Sequence, residues 1–273
     1  MLATSKRTIA SSILMDATMP AAPHAEANSG KSALPVSAFE MRIAISADEI
    51  EEAQRLRYQV FFEELGVRAQ SKRSLLDVDE YDADCEHLIV REHATQQVVG
   101  CYRIMRPEIA AKRGSYYSDS EFDLSRLHHL RSNMVEVGRA CIHPDYRTGS
   151  VIMLLWSGIA KFMLENRYDY LIGCASVSLA DGGANALSVH AKASSEWLSP
   201  SEYRVFPRHA FPLRGQASLA PQIPPLIKGY TRLGAWIGGD PAWDPDFNTA
   251  DFFVLLSLSR MPKKYLKHFM SVG

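Results

Sequence analysis

The stretch from Asn133 to Ser178 restricts the choice of folds more than any other part of the chain. It opens with Met134-Val135-Glu136-Val137-Gly138-Arg139-Ala140-Cys141-Ile142, which alternates as a strand does, and turns at His143-Pro144-Asp145. After Arg147-Thr148-Gly149-Ser150 an apolar run, Val151-Ile152-Met153-Leu154-Leu155-Trp156, continues with helical spacing to about Asn166. A second strand follows, Tyr170-Leu171-Ile172-Gly173-Cys174-Ala175-Ser176-Val177. Strand, glycine turn, helix and strand make a βαβ unit, which requires a parallel pair and a crossover. A helix from Ser150 to Asn166 rises about 24 Å, enough to cross a sheet. Ser150 is its candidate N-cap, and the free N–H groups at its start favour an anionic group.

Glu136 and Arg139 stand inside this apolar strand. Three apart, they face opposite sides unless a bulge intervenes, and Gly138 between them is a candidate bulge site. Two readings stay open: a structural ion pair at the strand end, or a charged pair lining a substrate cleft.

The rest of the chain bounds the class. Of 273 residues 47% are hydrophobic and the net charge is −1, which fits a soluble globular protein without a general attraction to nucleic acid. No apolar run approaches the ~18 residues that a membrane helix needs. Cys85, Cys101, Cys141 and Cys174 show no C-x-x-C spacing and lie in or beside apolar runs. They read as buried, reduced thiols of a cytoplasmic protein; no zinc site or other metal site is expected. Residues 1–38, rich in Ala, Ser, Thr and Pro, read as a disordered low-complexity tail, and residues 39–273 as one domain. Lys6-Arg7 followed by Thr8 to Met15 is too short and too serine-interrupted for a signal peptide.

Within the domain, Phe39–Ile45 reads as a strand and Ser46 caps a helix running toward Leu65, with Gly66 as its stop. Polar residues lead to Asp77-Val78-Asp79-Glu80-Tyr81-Asp82-Ala83-Asp84. His87–Arg91 and Gln97–Met105 form a hairpin that carries Arg103 in its second, apolar strand. A basic and aromatic excursion covers 106–132. After the βαβ unit, Gly182–Trp197 and Pro224–Gly234 read as helices, Tyr203–Phe211 and Asp251–Leu258 as strands. The C-terminal Arg260–Phe269 is basic and amphipathic. The whole is mixed α/β, with antiparallel strands flanking one parallel pair.

This order resembles the acyltransferases of the GCN5-related N-acetyltransferase (GNAT) type. The resemblance implies two splayed central parallel strands that admit a phosphopantetheine arm, with its phosphate near Arg147, Gly149 and Ser150. Arg147-Thr148-Gly149-Ser150-Val151-Ile152 departs from that family's Arg/Gln-x-x-Gly-x-Gly/Ala loop. Isoleucine stands where a small residue belongs, which suits the single phosphate of a carrier-protein arm better than the pyrophosphate of coenzyme A. Arg57-Tyr58-x-Val60-Phe61, Asp79-Glu80-Tyr81-Asp82, Arg103 and Glu136-x-x-Arg139 also resemble acyl-homoserine lactone synthases. Beyond Arg147 the likeness changes. Cys141-Ile142-His143-Pro144-Asp145-Tyr146-Arg147, Gly173-Cys174-Ala175-Ser176, Lys228-Gly229-Tyr230-x-Arg232-Leu233-Gly234-Ala235, Gly239-Asp240-Pro241-Ala242 and Asp246-Phe247-x-Thr249-Ala250-Asp251 are similar to bacterial ornithine N-acyltransferases.

That resemblance implies transfer of a 3-hydroxyacyl group from acyl carrier protein to the α-amine of ornithine, giving lyso-ornithine lipid. The acyl-phosphopantetheine is then a co-substrate, and no permanently bound cofactor is expected. Glu136 takes the general-base role, and Arg139 or an exposed backbone N–H stabilises the oxyanion. Arg57, Phe61, Asp79, Asp82 and Arg103 form the amino-acid site, Arg103 for the carboxylate and Asp82 for the side-chain ammonium. The bland alternative is that these charges fasten the first helix to the sheet. A basic patch for the acidic carrier protein is expected among Lys263, Lys264, Lys267, Lys72, Arg73, Arg126 and Arg131, and the C-terminal segment could instead touch the inner membrane peripherally. Competing classes are a lactone-forming signal synthase and a coenzyme A-dependent N-acetyltransferase. No histidine is followed five residues later by aspartate, which argues against a glycerolipid O-acyltransferase.

Overall fold

The computed structural model describes residues 34–64, 75–147 and 149–272. After a short turn at Val36–Ala38, already resting on the core, β1 (Phe39–Ile43) leads into α1 (Ala47–Tyr58). The Ser46 hydroxyl caps α1 by accepting from the Glu49 N–H at 3.3 Å. The helix continues in wider π-type turns over Gln59–Glu64, while the expected end at Leu65 and Gly66 lies outside the described residues. β2 (Glu86–Glu92) and β3 (Val98–Met105) form the expected hairpin. The excursion after it carries α2 (Pro107–Arg113), α3 (Ser118–Glu121) and the two-residue β4 (Phe122–Asp123), and closes with a 3-10 stretch over Ser125–Asn133.

Then come β5 (Met134–Ile142), α4 (Ser150–Asn166) and β6 (Tyr170–Ser178), the βαβ unit. The N-cap of α4 is Gly149, not Ser150, because the cap backbone sits at φ +101, which glycine adopts without strain. Ser150 is the first helical residue, and its hydroxyl donates to the Leu34 carbonyl at 2.7 Å. The chain finishes with α5 (Ala184–Lys192), β7 (Phe206–Pro207), α6 (Pro225–Arg232), β8 (Trp236–Ile237), β9 (Ala242–Asp244), β10 (Thr249–Ser257) and α7 (Lys263–Val272). The strand expected over Tyr203–Phe211 shrinks to β7, which pairs only with β4; Pro207 has no N–H with which to extend a ladder.

The main sheet runs β1-β2-β3-β5-β6-β10-β8, with β9 also on β10, and only β5 and β6 are parallel. α4 is apolar on nearly every side and lies against one face of the sheet, packed there with α6 and α7. On the other face α1 covers Ile89, Cys101 and Cys141, and beside it the α2–α3 excursion covers Met105, Met134, Ile172 and Cys174.

Two departures from regular pairing shape the middle of the sheet. β5 and β6 pair only at Met134 with Tyr170, Val135 with Leu171 and Glu136 with Ile172. Beyond that point β5 stays with β3 and β6 with β10, so the two strands fork. Gly173 stands at the apex, where a Cβ would come within 2.5 Å of the Val137 carbonyl oxygen. The second departure is a bulge. Between the pairs Cys101–Cys141 and Arg103–Gly138, Arg139 and Ala140 together oppose Tyr102 alone. Arg139 takes φ +53, a left-handed conformation that costs a non-glycine residue roughly 1 kcal/mol. The sequence places the bulge at Gly138; the structure moves it one residue on. Its effect is to turn Arg139 onto the sheet face that Glu136 and Arg103 occupy.

Candidate active site

Glu136 is the last paired residue before the fork and is 5% exposed. The excursion between β3 and β5 closes over it. Tyr116 anchors that excursion, donating its hydroxyl to the Met134 carbonyl at 2.5 Å, while Arg131 holds Asp119 through both terminal guanidinium nitrogens, Nη1 and Nη2. The next two residues then present their backbones to Glu136, which accepts from the Tyr117 N–H at 2.6 Å and the Ser118 N–H at 2.8 Å. The Ser118 hydroxyl donates to the same carboxylate. Burial pushes the Glu136 carboxyl up to about 7, against hydrogen bonds from Ser118 and Tyr117 that favour its ionised form. A small pocket opens beside it, lined among others by Arg103, Cys85, Val137 and Gly138. A carboxylate that titrates near neutrality at the wall of a pocket is equipped to accept a proton.

Glu136 and Arg139 do not pair with each other. Arg139, fully buried, approaches Asp77 at 3.0 Å through Nε and donates to Asp79 at 2.7 Å through Nη2. Arg57, 1% exposed, donates to Asp77 at 2.7 Å and to both carboxylate oxygens of Asp82 at 2.8 and 2.9 Å. Arg103 donates through Nη1 to Asp79 at 2.5 Å and to Asp82 at 2.9 Å. Three guanidinium groups thus face three carboxylates beneath α1, and the charges balance. Burial alone would raise the Asp82 carboxyl, but Arg57 and Arg103 outweigh it and hold it well below the usual range. Asp79 is lowered in the same way by Arg139 and Arg103.

Asp77 is the member that sequence reading missed, although it begins the acidic run that supplied Asp79 and Asp82. Of the three arginines, Arg103 is the one that lines the pocket with Glu136, and only its Nη1 is engaged by the aspartates. Phe61 is fully buried, packed edge-on against Phe247, and reaches neither group.

Across the fork, Glu121, Asp244 and Asp251 bring carboxylate oxygens within 4.8 Å of one another. Thr249 donates to Asp251 at 2.9 Å, and the Tyr117 hydroxyl donates to Glu121. Burial raises all three carboxyls, helped by repulsion from Asp251 at Glu121 and from Asp244 at Asp251, Glu121 well above its ordinary value and Asp251 to about 7. Among the described residues this is the group whose donors could hold a metal ion. Its members come from three separate elements, so no sequence spacing announces it. Tyr117 and Ser118 escaped notice because they serve Glu136 largely through backbone N–H groups, which leave no mark in a sequence.

At the open end of the fork, Arg147 grips Glu64 through two contacts of 2.7 Å and donates to the Ile142 carbonyl at 3.2 Å. With the Ser150 hydroxyl on Leu34, the start of α4 offers backbone N–H groups at Gly149 and Ser150 but few unspent side chains.

Comparison with known proteins gives this geometry its context. Residues 56–157 match the acetyltransferase (GNAT) domain model. The chain is 35% identical over 254 residues to L-ornithine N(alpha)-acyltransferase of Brucella abortus (strain 2308), covering 86% of this chain and 89% of that protein. It is equally similar, at 35% over 254 residues and 86% of each chain, to the L-ornithine N(alpha)-acyltransferase of Agrobacterium fabrum. Among solved structures, TofI in a ternary complex with an inhibitor and MTA aligns over 86% of this chain and 99% of its own, with a TM-score of 0.50 and 14% identity. That likeness extends to the fold.

Proposed function

Because the chain belongs to the L-ornithine N(alpha)-acyltransferases, an amide-forming family that acylates ornithine, we propose that its donor is a 3-hydroxyacyl group carried on acyl carrier protein and that its product is lyso-ornithine lipid. The observation that carries the site assignment is Glu136, a buried carboxylate poised near neutrality at the apex of the fork. The ornithine α-ammonium gives its proton to Glu136. The freed amine attacks the thioester carbonyl presented between β5 and β6. Backbone N–H groups released where the strands part stabilise the oxyanion. Collapse breaks the C–S bond, the nitrogen gives up its surplus proton to the departing sulfur, and the phosphopantetheine leaves as the thiol, so no acyl-enzyme intermediate is needed. Arg103, with guanidinium nitrogens not engaged by Asp79 or Asp82, faces the pocket as the partner of the acceptor carboxylate. Arg57, Arg139, Asp77, Asp79 and Asp82 then act by fixing Arg103 in place.

The start of α4 supports a carrier-protein donor. Its side chains are occupied by Glu64 and Leu34, which leaves backbone for one phosphate and little provision for a pyrophosphate. Lys263, Lys264 and Lys267 are exposed on α7 and suit an acidic carrier; Lys72 and Arg73 lie outside the described residues. No helix among the described residues is long and apolar enough to cross a membrane, and peripheral contact through α7 is open to a vesicle-flotation test. The direct test incubates the protein with free amino acids and either 3-hydroxyacyl carrier protein or 3-hydroxyacyl-coenzyme A, following thiol release and amide mass. An ornithine-dependent amide with the carrier donor is expected. Turnover only with coenzyme A overturns the donor, and turnover only with S-adenosylmethionine present overturns the reaction.

A further inference from the structure

The two backbone N–H groups that Glu136 accepts from open the single turn of α3. A turn of four residues has no helical stability of its own. Tyr117, at its N-cap position, makes no side-chain cap hydrogen bond, and the Glu136 carboxylate stands in for the cap. The direction of those N–H groups therefore depends on what holds the turn from outside. On one side, Asp119 accepts from the Tyr116 N–H at 2.7 Å and is gripped by Arg131. On the other, the Tyr117 hydroxyl reaches four residues along the chain, donates to Glu121 and closes the turn.

Glu121 is in turn tied to β10. Burial, then the charge of Asp251, holds the Glu121 carboxyl well above its ordinary value, so it keeps its proton at neutral pH and gives it as a hydrogen bond to Asp251. Asp251 is fully buried and accepts from Thr249 at 2.9 Å. Burial also pushes the Tyr117 phenol well above its ordinary value, so it remains a donor. A line of hydrogen bonds thus runs from β10 through Glu121 and Tyr117 to the backbone that meets Glu136. It crosses the fork, because Asp251 pairs with Ser176 on the β6 arm while Glu136 belongs to β5. Packing does not account for this line. The Tyr117 ring is already seated edge-on against Tyr81, with centroids 5.7 Å apart. Phenylalanine facing an apolar residue would fill the same space without burying two acids side by side.

We infer that Tyr117 and Glu121 are positioning residues for Glu136, holding the start of α3 so that its two N–H groups stay aimed at the carboxylate. This rests on the reading of Glu136 as the base. Loosening the line lets the N–H groups drift, which weakens the ionised form of Glu136 more than the protonated one and raises the pH at which the base becomes available. Other groups also act on Glu136 or feel its charge: Arg103 from β3, Tyr81 and Cys85 from the segment before β2, Tyr116 and Arg131 from the excursion, and Cys174 from β6. A variant that removes only the Tyr117 hydroxyl keeps every one of them.

The test titrates Glu136 without turnover, by infrared difference spectra against Glu136→Gln, and measures ornithine acylation alongside. Tyr117→Phe and Glu121→Ala should each move the Glu136 inflection to higher pH and lower kcat about tenfold, with KM for both substrates nearly unchanged. Glu121→Gln mimics the protonated acid, and its amide oxygen still accepts from the phenol, so it should recover most of what Glu121→Ala loses. In a Glu136→Gln background, Tyr117→Phe should lower kcat no further, whereas a purely structural link would matter equally in both backgrounds. An unmoved inflection in both Tyr117→Phe and Glu121→Ala, or equal losses in the two backgrounds, overturns the proposal. A moved infrared inflection in a protein that acylates no amino acid would leave the positioning role standing and remove the proposed function.

Discussion

At the residue scale the chemistry converges on Glu136. Glu136→Gln keeps the shape and most of the hydrogen bonding but cannot take a proton, so kcat should fall on the order of 100-fold or more while the melting temperature holds. Because a base acts when ionised, the wild-type kcat/KM should rise with pH through an inflection near 7, matching the buried carboxyl. Ser118 supplies the strongest of the bonds that favour the charged form. Ser118→Ala should therefore move the inflection to higher pH, and a profile that stays in place would sink the assignment of Glu136 as base. This part of the site was legible as residue types: a carboxylate and a guanidinium inside an apolar strand stand out. What each touches was not legible. Arg139 reads as a neighbour of Glu136 along the chain, yet the bulge sends it to Asp77 and Asp79, and whether a strand bulges depends on its partner strand.

At the scale of elements, the Arg/Asp network fixes α1 and the segment from Asp77 to Asp82 against β3 and β5. Arg57→Leu would bury Asp77 and Asp82 without their main partner, a loss of roughly 3–5 kcal/mol, readable as the shift in urea midpoint. Gly173→Ala tests the fork itself. A methyl group 2.5 Å from the Val137 carbonyl must push the strands apart or tilt them, so donor KM should rise while the amino-acid KM changes little. Elements with strong periodicity were readable to within a residue or two: α4 ends where its apolar pattern ends, and the hairpin lies where alternation meets a polar turn. The strand expected at Tyr203–Phe211 failed because local alternation says nothing about whether a partner edge is available, and the one it finds is two residues long. The cap shift from Ser150 to Gly149 has the same lesson in reverse, since the backbone angle outranked the preference for a hydroxyl.

At the scale of the whole molecule, the buried acids make stability depend on pH in two opposed ways. Asp251, raised to about 7, and Glu121, raised well above its ordinary value, favour folding while protonated. Their contribution is complete below pH ~4, and that of Asp251 is lost as pH rises through about 7. Asp79 and Asp82, held down by arginines, contribute in the other sense: their stabilisation is present above pH ~4 and is lost on acidification. Asp251→Asn should thus raise the melting temperature at pH 8 and change it little at pH 4.5; a uniform shift at both would refute the linkage. The mixed α/β architecture was readable because the βαβ unit and its flanking hairpin allow few arrangements. The Glu121–Asp244–Asp251 group was not, since it exists only once three distant segments have packed.

The fork also means that the sheet is two half-ladders held by three rungs, Met134–Tyr170, Val135–Leu171 and Glu136–Ile172, with α4 as the brace between them. An extended arm with amide groups of its own, laid in the gap, would supply the rungs the polypeptide leaves out. The substrate would then serve as a temporary strand, and loading the enzyme would partly complete its fold. Donor binding should accordingly slow amide exchange along Val137–Ile142 and Gly173–Ser178 together.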